Sequence, residues 1–460
     1  MNNKVLFASR LYRFKARGAL IMLVSLVHIG NLGCSAEGAP VGVSTHDSLA
    51  GLDGNHVDGG SNEPPLDGAA DGASTLPVHC GLPTGERPAR RSEHTGAFDA
   101  EGKRLVLFGG SFGVPQNCGY PVPTFETETW VYDVTCRRWR ESKAVGPAGR
   151  ARAASAWVPG VGLTVFGGRS RVAKSGNYDL HGDLWAFDPD ADKWTQLANA
   201  SGIPARFNTT LIYASGFGKL LVFGGNTSGS AMNYVANNDV WQYRLDAGVW
   251  SVLKTSGTPP PKRFFASAVW DAARKRMVVF GGADESLFSN TAKYRSDLWV
   301  LDFSGDTPTW SQLPAGPMKP AGRFWAGLAV DPIHDAYVLF AGHDDGKQGN
   351  RNDLWSYKIA EKSWSPLRLA DTYNKPANGF CSFPPDFTNL DVDAPERRNG
   401  GVVTGGLGGL WVQGGKTDCG VIDDLFRYDY ESGAWQELTA ATVGEACLRK
   451  GGVGCNDYCF

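Results

Sequence analysis

The chain has 460 residues, a formal net charge of −2 and a hydrophobic content of 42%. This balance argues against nucleic acid or an anionic membrane surface as a partner and allows a large core. The 59 Gly and 15 Trp indicate many turns and large packed surfaces, which favours an all-β protein of short strands over a helical one.

Residues 1–34 predict an export signal. Five basic residues and no acidic one lie in residues 1–18, and an apolar run from Ala19 to Ile29 follows that is too short for a membrane span. The run ends at Asn31-Leu32-Gly33-Cys34, which resembles the lipobox of bacterial lipoproteins, although Asn31 stands where that family prefers Leu. We therefore expect an outer-membrane lipoprotein whose only contact with the membrane is a lipid on Cys34. Cleavage after Ala36 and free secretion is the alternative.

Residues 35–79 are rich in Gly, Ala, Asp, Ser and Pro. A segment of this composition buries too little apolar surface to offset its ordering entropy. The sequence therefore predicts a flexible tether between the lipid anchor and a folded domain over residues 80–460.

From residue 88 the chain repeats one pattern six times. Each copy has an Arg shortly after a Pro, two apolar runs of which the second ends in a Gly pair, an Asp-apolar-Trp segment and a closing Trp. The first position of the Gly pair falls at residues 109, 167, 224, 281, 341 and 414. The closing tryptophans are Trp139, Trp194, Trp250, Trp310, Trp364 and Trp435. Both series keep a spacing near the roughly 50 residues of a Kelch blade.

Over residues 88–438 these markers resemble the Kelch family, whose fold is a β-propeller of four-stranded antiparallel blades. The resemblance implies six blades. Galactose oxidase has a similar propeller, but its copper site of two His, two Tyr and a Cys cannot be mapped onto this sequence. No metal or other cofactor is therefore expected.

The Asp-apolar-Trp segments predict strands that begin after an acidic residue. Trp185 and Phe187 alternate with period two, so they share one strand face, which we expect to pack against the next blade. Asp183 and its counterparts precede these strands, where a short acceptor can satisfy turn amides. The first copy departs from the pattern, with Thr129 assigned to the Asp position, and the last has Phe426 for Trp.

Nine cysteines are present. Removing Cys34 leaves an even number, as expected of disulfides in an oxidising compartment. We predict the bridges Cys118–Cys136 and Cys381–Cys419, and at least one bridge from Cys80 to the C-terminal tail that closes the ring. The tail cysteines are Cys447, Cys455 and Cys459.

Catalytic motifs are weak. Residues 109–113 match the G-x-S-x-G pattern of a nucleophile elbow, but that motif needs a strand-to-helix turn, whereas this stretch is expected in a β-blade. His94 lies where Kelch repeats often carry a structural His. The His343-Asp344-Asp345 loop could bind a cation, although solvated loop acids are far commoner.

The arginines that open the copies are candidates for a ligand site at the central mouth. They are Arg91, Arg150, Arg206, Arg263, Arg323 and Arg398. Phe207, Phe264 and Trp325, which follow three of them, would add stacking surface for an anionic ligand, an acidic peptide or a carboxylated glycan. The alternative is that each Arg bonds to carbonyls or acids of its own or the neighbouring blade. We expect a non-enzymatic module that binds protein or glycan at the cell envelope. An extracellular enzyme acting on carbohydrate or peptide at the mouth is the second hypothesis.

Overall fold

The computed structural model describes residues 80, 85–112, 125–173, 176–231, 233–287, 291–344, 349–371, 393–417 and 420–442. The predicted signal, its Cys34 and the predicted tether lie outside the described residues. The same holds for the tail after Thr442 and for all predicted disulfide cysteines except Cys80 and Cys136.

The described chain is a six-bladed β-propeller, and no α-helix occurs in these ranges. Each blade is an antiparallel sheet of four main strands, which follow one another along the chain from the innermost strand to the outermost. Blade 1 is β1 (Thr95–Asp99), β2 (Arg104–Phe108), β3 (Thr129–Asp133) and β4 (Arg138–Glu141). Blade 2 is β5 (Ala154–Val158), β6 (Gly162–Phe166), β9 (Leu184–Asp188) and β10 (Lys193–Ala198). Blade 3 is β11 (Thr210–Ala214), β12 (Lys219–Phe223), β13 (Val240–Arg244) and β14 (Val249–Val252).

The second half of the chain repeats this arrangement. Blade 4 is β16 (Ser267–Asp271), β17 (Arg276–Phe280), β18 (Leu298–Asp302) and β19 (Thr309–Leu313). Blade 5 is β20 (Gly327–Asp331), β21 (Ala336–Phe340), β24 (Leu354–Lys358) and β25 (Ser363–Arg368). Blade 6 is β27 (Val402–Gly406), β28 (Gly409–Thr417), β29 (Val421–Asp429) and β30 (Trp435–Thr439). Short strands at the blade ends are β7 (Arg169–Ser170), β8 (Asp179–Leu180), β15 (Ser256–Gly257), β22 (His343–Asp344), β23 (Gly349–Asn350) and β26 (Arg398–Asn399). The six-bladed all-β prediction is confirmed.

The ring closes by packing, because each blade is made from one continuous stretch of chain. The inner strands lie side by side around the axis, and β1 of the first blade packs beside β27 of the last. Arg87, just before blade 1, is also linked to the segment after blade 6, since its Nη1 donates a hydrogen bond of 2.6 Å to the carbonyl of Ala440.

Aromatic rings interlock successive blades. The Phe that ends the second strand of one blade contacts the closing Trp of the next, with ring centroids 4.9 to 5.6 Å apart. The face that carries Trp185 and Phe187 packs against Val106 and Phe108 of blade 1. The expectation that this face meets the next blade was therefore wrong, since it meets the preceding one.

The disulfide pairing also differs from the prediction. Cys136 bonds to Cys80, with the Cα atoms 5.4 Å apart, so neither a Cys118–Cys136 bridge nor a bridge from Cys80 to the tail is present. Cys136 lies in the β3–β4 turn and already has Cys80 as its partner, while Cys118 lies outside the described residues.

Among the described residues there is no helical segment with the length and apolarity that a membrane crossing needs.

Candidate functional site

The six blade-opening arginines lie inside the blades, at 0 to 2% exposure. Arg263 shows the arrangement: its Nε donates to the carbonyl of Pro261 at 3.0 Å and its Nη1 to that of Gly281 at 3.0 Å. Its two terminal nitrogens bind the two oxygens of Asp297 at 2.8 and 2.9 Å. Trp299 Nε1 donates to the same carboxylate at 2.7 Å.

The same clamp recurs in the other blades. The pairs are Arg91–Glu128, Arg150–Asp183, Arg206–Asp239, Arg323–Asp353 and Arg398–Asp424. Burial raises the pKa of Asp297, but the Arg263 guanidinium more than offsets this and holds that pKa below its usual range. These contacts are the internal bonds that the sequence left open as an alternative, and they occupy the guanidinium groups within the fold.

Two details of the acidic position need correction. The acids accept hydrogen bonds from Arg and Trp side chains in these clamps, rather than serving chiefly as acceptors for turn amides. In blade 1 the position belongs to Glu128, one residue before Thr129, and Trp130 Nε1 donates to Glu128 at 2.8 Å. The longer Glu side chain therefore replaces Asp there, and the pattern is not broken.

The central channel runs between the inner strands, and at the end where these strands begin it is surrounded by the residues two positions after each arginine. All six have positive φ, between 53° and 63°, which is uncommon for residues other than Gly. We call them the mouth ring: Glu93, Arg152, Asn208, Phe265, Trp325 and Gly400.

Backbone hydrogen bonds join this ring from blade to blade. The amide of Arg152 donates to the carbonyl of Glu93 at 2.8 Å, and the amide of Asn208 to that of Arg152 at 3.1 Å. The series continues through the amides of Phe265 and Trp325. The amide of Glu93 donates to the carbonyl of Gly400 at 2.7 Å. The backbone is therefore the same in every blade while the side chains differ.

The mouth-ring side chains fill the channel end. Arg152 donates two hydrogen bonds of 2.6 Å to the carboxylate of Glu93. Its guanidinium lies 5.3 Å from the ring of Phe265 and 5.0 Å from that of Trp325, and these two rings are 4.5 Å apart. Burial raises the pKa of Glu93, but Arg152, Arg169 and Lys416 outweigh burial and lower it. Three cations thus surround one carboxylate.

Asn208 is 6% exposed, and neither polar atom of its side chain has a hydrogen-bond partner among the described residues. A buried amide without partners is costly, so this position of the mouth ring is suited to a polar group of a ligand or to water.

The loops that join second to third strands surround the mouth ring, and we call this side of the propeller the loop face. It carries four half-buried aromatic residues: Tyr178, Tyr234, Tyr294 and Trp325. Arg169 and Arg171 lie 3.7 and 4.5 Å from the ring of Tyr178. The loop face therefore combines aromatic surface with cations.

Of the sequence candidates for the mouth, only Trp325 reaches the loop face. Phe207 and Phe264 are fully buried, like the arginines. Sequence reasoning missed Glu93, Arg152 and Asn208. One signal could have found them. The residue two positions after each repeated Arg differs in chemical type from copy to copy, although its neighbours repeat.

The candidate catalytic and cation-binding groups are held in structural contacts. Asp344 binds Arg351 at 2.5 Å and His343 Nδ1 lies 2.8 Å from Asn350 Oδ1. Across the described ranges, no three His, Cys, Asp or Glu side chains converge as metal ligands would. Ser111 lies in a backbone bridge to Ser92 and not at a strand-to-helix turn.

A Ser–His contact that the sequence did not suggest joins Ser170 to His181 Nε2 at 2.9 Å. Burial, together with the charge of Arg150, lowers the pKa of His181 to about 4. A base this weak is poorly matched to activating a serine near neutral pH.

Comparison with known proteins shows similarity to proteins with Kelch repeats. Residues 209–384 match the KLHDC2/KLHL20/DRC7 Kelch-repeats domain. Kelch domain-containing protein 2 of Bos taurus is 26% identical over 60% of this chain and 69% of its own length. Multiple epidermal growth factor-like domains protein 8 of Homo sapiens is 30% identical over 59% of this chain but only 10% of its own length. The match to the dynein alpha chain of the flagellar outer arm of Chlamydomonas reinhardtii, at 27% identity, covers 45% of this chain and 4% of that protein. The solved structure titled "Structure of YjhT" aligns with a TM-score of 0.53 at 16% identity, covering 76% of this chain and 98% of that one.

Proposed function

We propose that this chain, a six-bladed β-propeller with repeats similar to Kelch repeats, is a protein-interaction module that binds its partner on the loop face, over the mouth ring. The observation that carries the proposal is the mouth ring itself. Six blades hold the same positive-φ backbone, and five of the six blade-to-blade steps carry the same hydrogen bond, yet the blades present an acid, a cation, an amide, two aromatic rings and a glycine. Such asymmetry on a symmetric frame is what recognition of one specific partner requires.

The partner that this surface fits is an acidic peptide segment with an apolar or aromatic side chain. The charges of Arg152, Arg169 and Lys416, which lower the pKa of Glu93, would also attract a carboxylate of the partner. Trp325 and Tyr178 would supply stacking surface beside these cations. A carboxylated glycan is the competing ligand that a binding test must separate from a peptide.

The proposal extends to location. The basic start of the chain, its short apolar run and Cys34 support display at the cell envelope through a lipid on Cys34. Mass analysis of the mature N-terminus checks this directly. A diacylglyceryl cysteine at position 34 is the expected result, whereas a free N-terminus after Ala36 would favour the secreted form.

The enzymatic alternative receives no equivalent support. Glu93 is bound to Arg152, and burial lowers the pKa of the neighbouring His94 to about 3. Ser170 and His181 are in contact, and the lowered pKa of His181 is unfavourable for base catalysis.

A binding screen of the purified chain against acidic-peptide and glycan arrays tests the function, using Trp325→Ala and Trp270→Ala. Trp270 is a matched control, because it is also half-buried but lies at the opposite end of an inner strand. We expect peptide binding that weakens at least about tenfold in Trp325→Ala and is unchanged in Trp270→Ala, with both variants folded by circular dichroism. Equal effects of the two variants, or binding to glycans alone, would contradict the proposal.

A further inference from the structure

The interface between blades 6 and 1, which we call the seam, leaves a buried phenol without a partner. Tyr243 donates to the carbonyl of Leu197 in the preceding blade at 2.8 Å, and Tyr357 donates to that of Pro314 at 2.9 Å. Tyr132 occupies the same strand position in blade 1. Its side chain is 1% exposed, but its hydroxyl has no hydrogen-bond partner among the described residues.

A cavity of about 260 Å³ lies at the seam, where that missing bond would be. Blade 1 contributes Tyr132, Val134 and Arg137, and blade 6 contributes Leu407, Trp411, Arg427, Gln436 and Leu438. Leu438 is the counterpart of Leu197, because each lies three residues after the closing Trp of its blade. The interface therefore leaves room for a small molecule at this point.

The lining joins an apolar floor to a polar rim. Trp411 is fully buried and packs with Leu438 and Tyr132 in one core cluster. Arg427 donates to the carbonyl of Leu407 at 2.9 Å and pairs with Asp429 at 2.7 Å, so its charge is balanced. Arg137 is exposed and makes no hydrogen bond or ion pair with a described residue. Burial raises the pKa of the Tyr132 hydroxyl, and the charge of Arg137 opposes that shift.

We propose that the seam cavity is a binding site for a small amphipathic carboxylate. The carboxylate lies at the rim, where it pairs with Arg137 and accepts a hydrogen bond from the Tyr132 hydroxyl, while the apolar part packs on Trp411 and Leu438. A ligand so placed supplies the acceptor that the neighbouring blade supplies elsewhere, and it also contacts both blades of the seam. The site lies among the β3–β4 and β27–β28 turns, away from the loop face, so the inference is independent of the proposed partner site.

Calorimetric titration of the purified chain with 4-phenylbutyrate, and with 4-phenylbutanol as its uncharged counterpart, tests the site. We expect binding of the acid in the submillimolar range and roughly tenfold weaker binding of the alcohol. Tyr132→Phe and Arg137→Gln should each weaken binding of the acid about five- to tenfold. The matched control is Tyr243→Phe, which removes the equivalent hydroxyl at an interface where it is already bonded and should leave affinity unchanged.

Leu407→Phe gives a second test that does not touch the core, because Leu407 is 37% exposed at the cavity entrance. It should reduce affinity for both probes by filling space. The proposal is overturned if the acid does not bind up to millimolar concentration. It is equally overturned if acid and alcohol bind alike, or if Tyr132→Phe and Leu407→Phe bind the acid as tightly as the parent.

Discussion

Asp353 accepts hydrogen bonds from both terminal nitrogens of Arg323, at 2.5 and 2.7 Å, while the two side chains are 7% and 0% exposed. The pair ties the segment before an inner strand to the start of the third strand of the same blade. Trp355 Nε1 donates to the same carboxylate at 2.8 Å. One acid thus serves an Arg and a Trp that the repeat places at fixed distances, which explains why the three recur together.

Removing one partner of this clamp should be costly, because the other charge stays buried. We expect Arg323→Ala to lower the free energy of unfolding by about 3–5 kcal/mol, measured by urea denaturation. Arg244→Ala is the control, since the Arg244–Asp246 pair is 50% and 68% exposed and should contribute little to stability. A loss of less than about 1 kcal/mol for Arg323→Ala would show that the clamp is dispensable.

The repeat spacing was enough to predict the blades, because the Gly pairs and closing tryptophans mark obligatory turns and packing positions. The role of the arginines could not be decided in the same way. A repeated cation is compatible with a ligand-facing ring or with internal clamps, and only the position of Asp297 relative to Arg263 in space separates the two. The mouth ring escaped prediction because its constraint is a backbone angle, which leaves no common residue type in Glu93, Arg152 and Trp325.

The disulfide fixes the segment before blade 1 to the β3–β4 turn. Because Cys80 and Cys136 enclose a loop of 56 residues, the chain-entropy model gives a contribution of roughly 4 kcal/mol. A Cys80→Ser/Cys136→Ser variant should therefore unfold at a lower temperature than the parent under oxidising conditions, and the two should agree more closely once reductant is added. Peptide mapping without reduction checks the pairing, and a peptide that joins Cys118 to Cys136 would show that the assignment is incorrect.

Acid should destabilise the propeller through His94. Burial, with a contribution from Arg91, lowers the pKa of His94 from 6.5 to about 3, whereas an unfolded chain takes up this proton near pH 6.5. Between these values unfolding binds a proton, so stability is full above about pH 6.5 and falls as the pH decreases toward 3. At pH 5 the loss is about 2 kcal/mol, which corresponds to roughly 1.5 pH units.

The measurement is urea denaturation of the parent and of His94→Asn at about pH 7.5 and pH 5, on either side of the unfolded-state pKa. The difference in the free energy of unfolding between the two pH values should be smaller in His94→Asn than in the parent. His334→Asn provides the control, because that side chain is 55% exposed. If the parent and His94→Asn lose the same stability on acidification, then His94 does not carry the effect.

The seam also lacks the Phe–Trp contact that joins the other neighbouring blades. A pair of substitutions at this interface can therefore test why it is different. Gln413 stands where the other blades end the second strand in Phe, and its Oε1 lies 2.7 Å from His94 Nε2. The position of His94 is occupied by Ala153, Ala266 and Ala326 in blades 2, 4 and 5. His94 Nδ1 and Gln413 Nε2 are both buried without hydrogen-bond partners among the described residues, so the exchange of Phe for this polar pair has a cost.

We expect His94→Ala to destabilise the fold by about 1–3 kcal/mol, because it leaves the Gln413 amide wholly unpaired. Gln413→Phe alone should also destabilise, because the larger ring meets His94. The double variant His94→Ala/Gln413→Phe restores the pairing of small residue and Phe found at other blade interfaces and should be at least as stable as the parent. Urea denaturation of the four proteins would then give a coupling energy of about 1–3 kcal/mol. Additive losses would instead mean that the seam cannot accept the interlock and that the polar pair of His94 and Gln413 is required there.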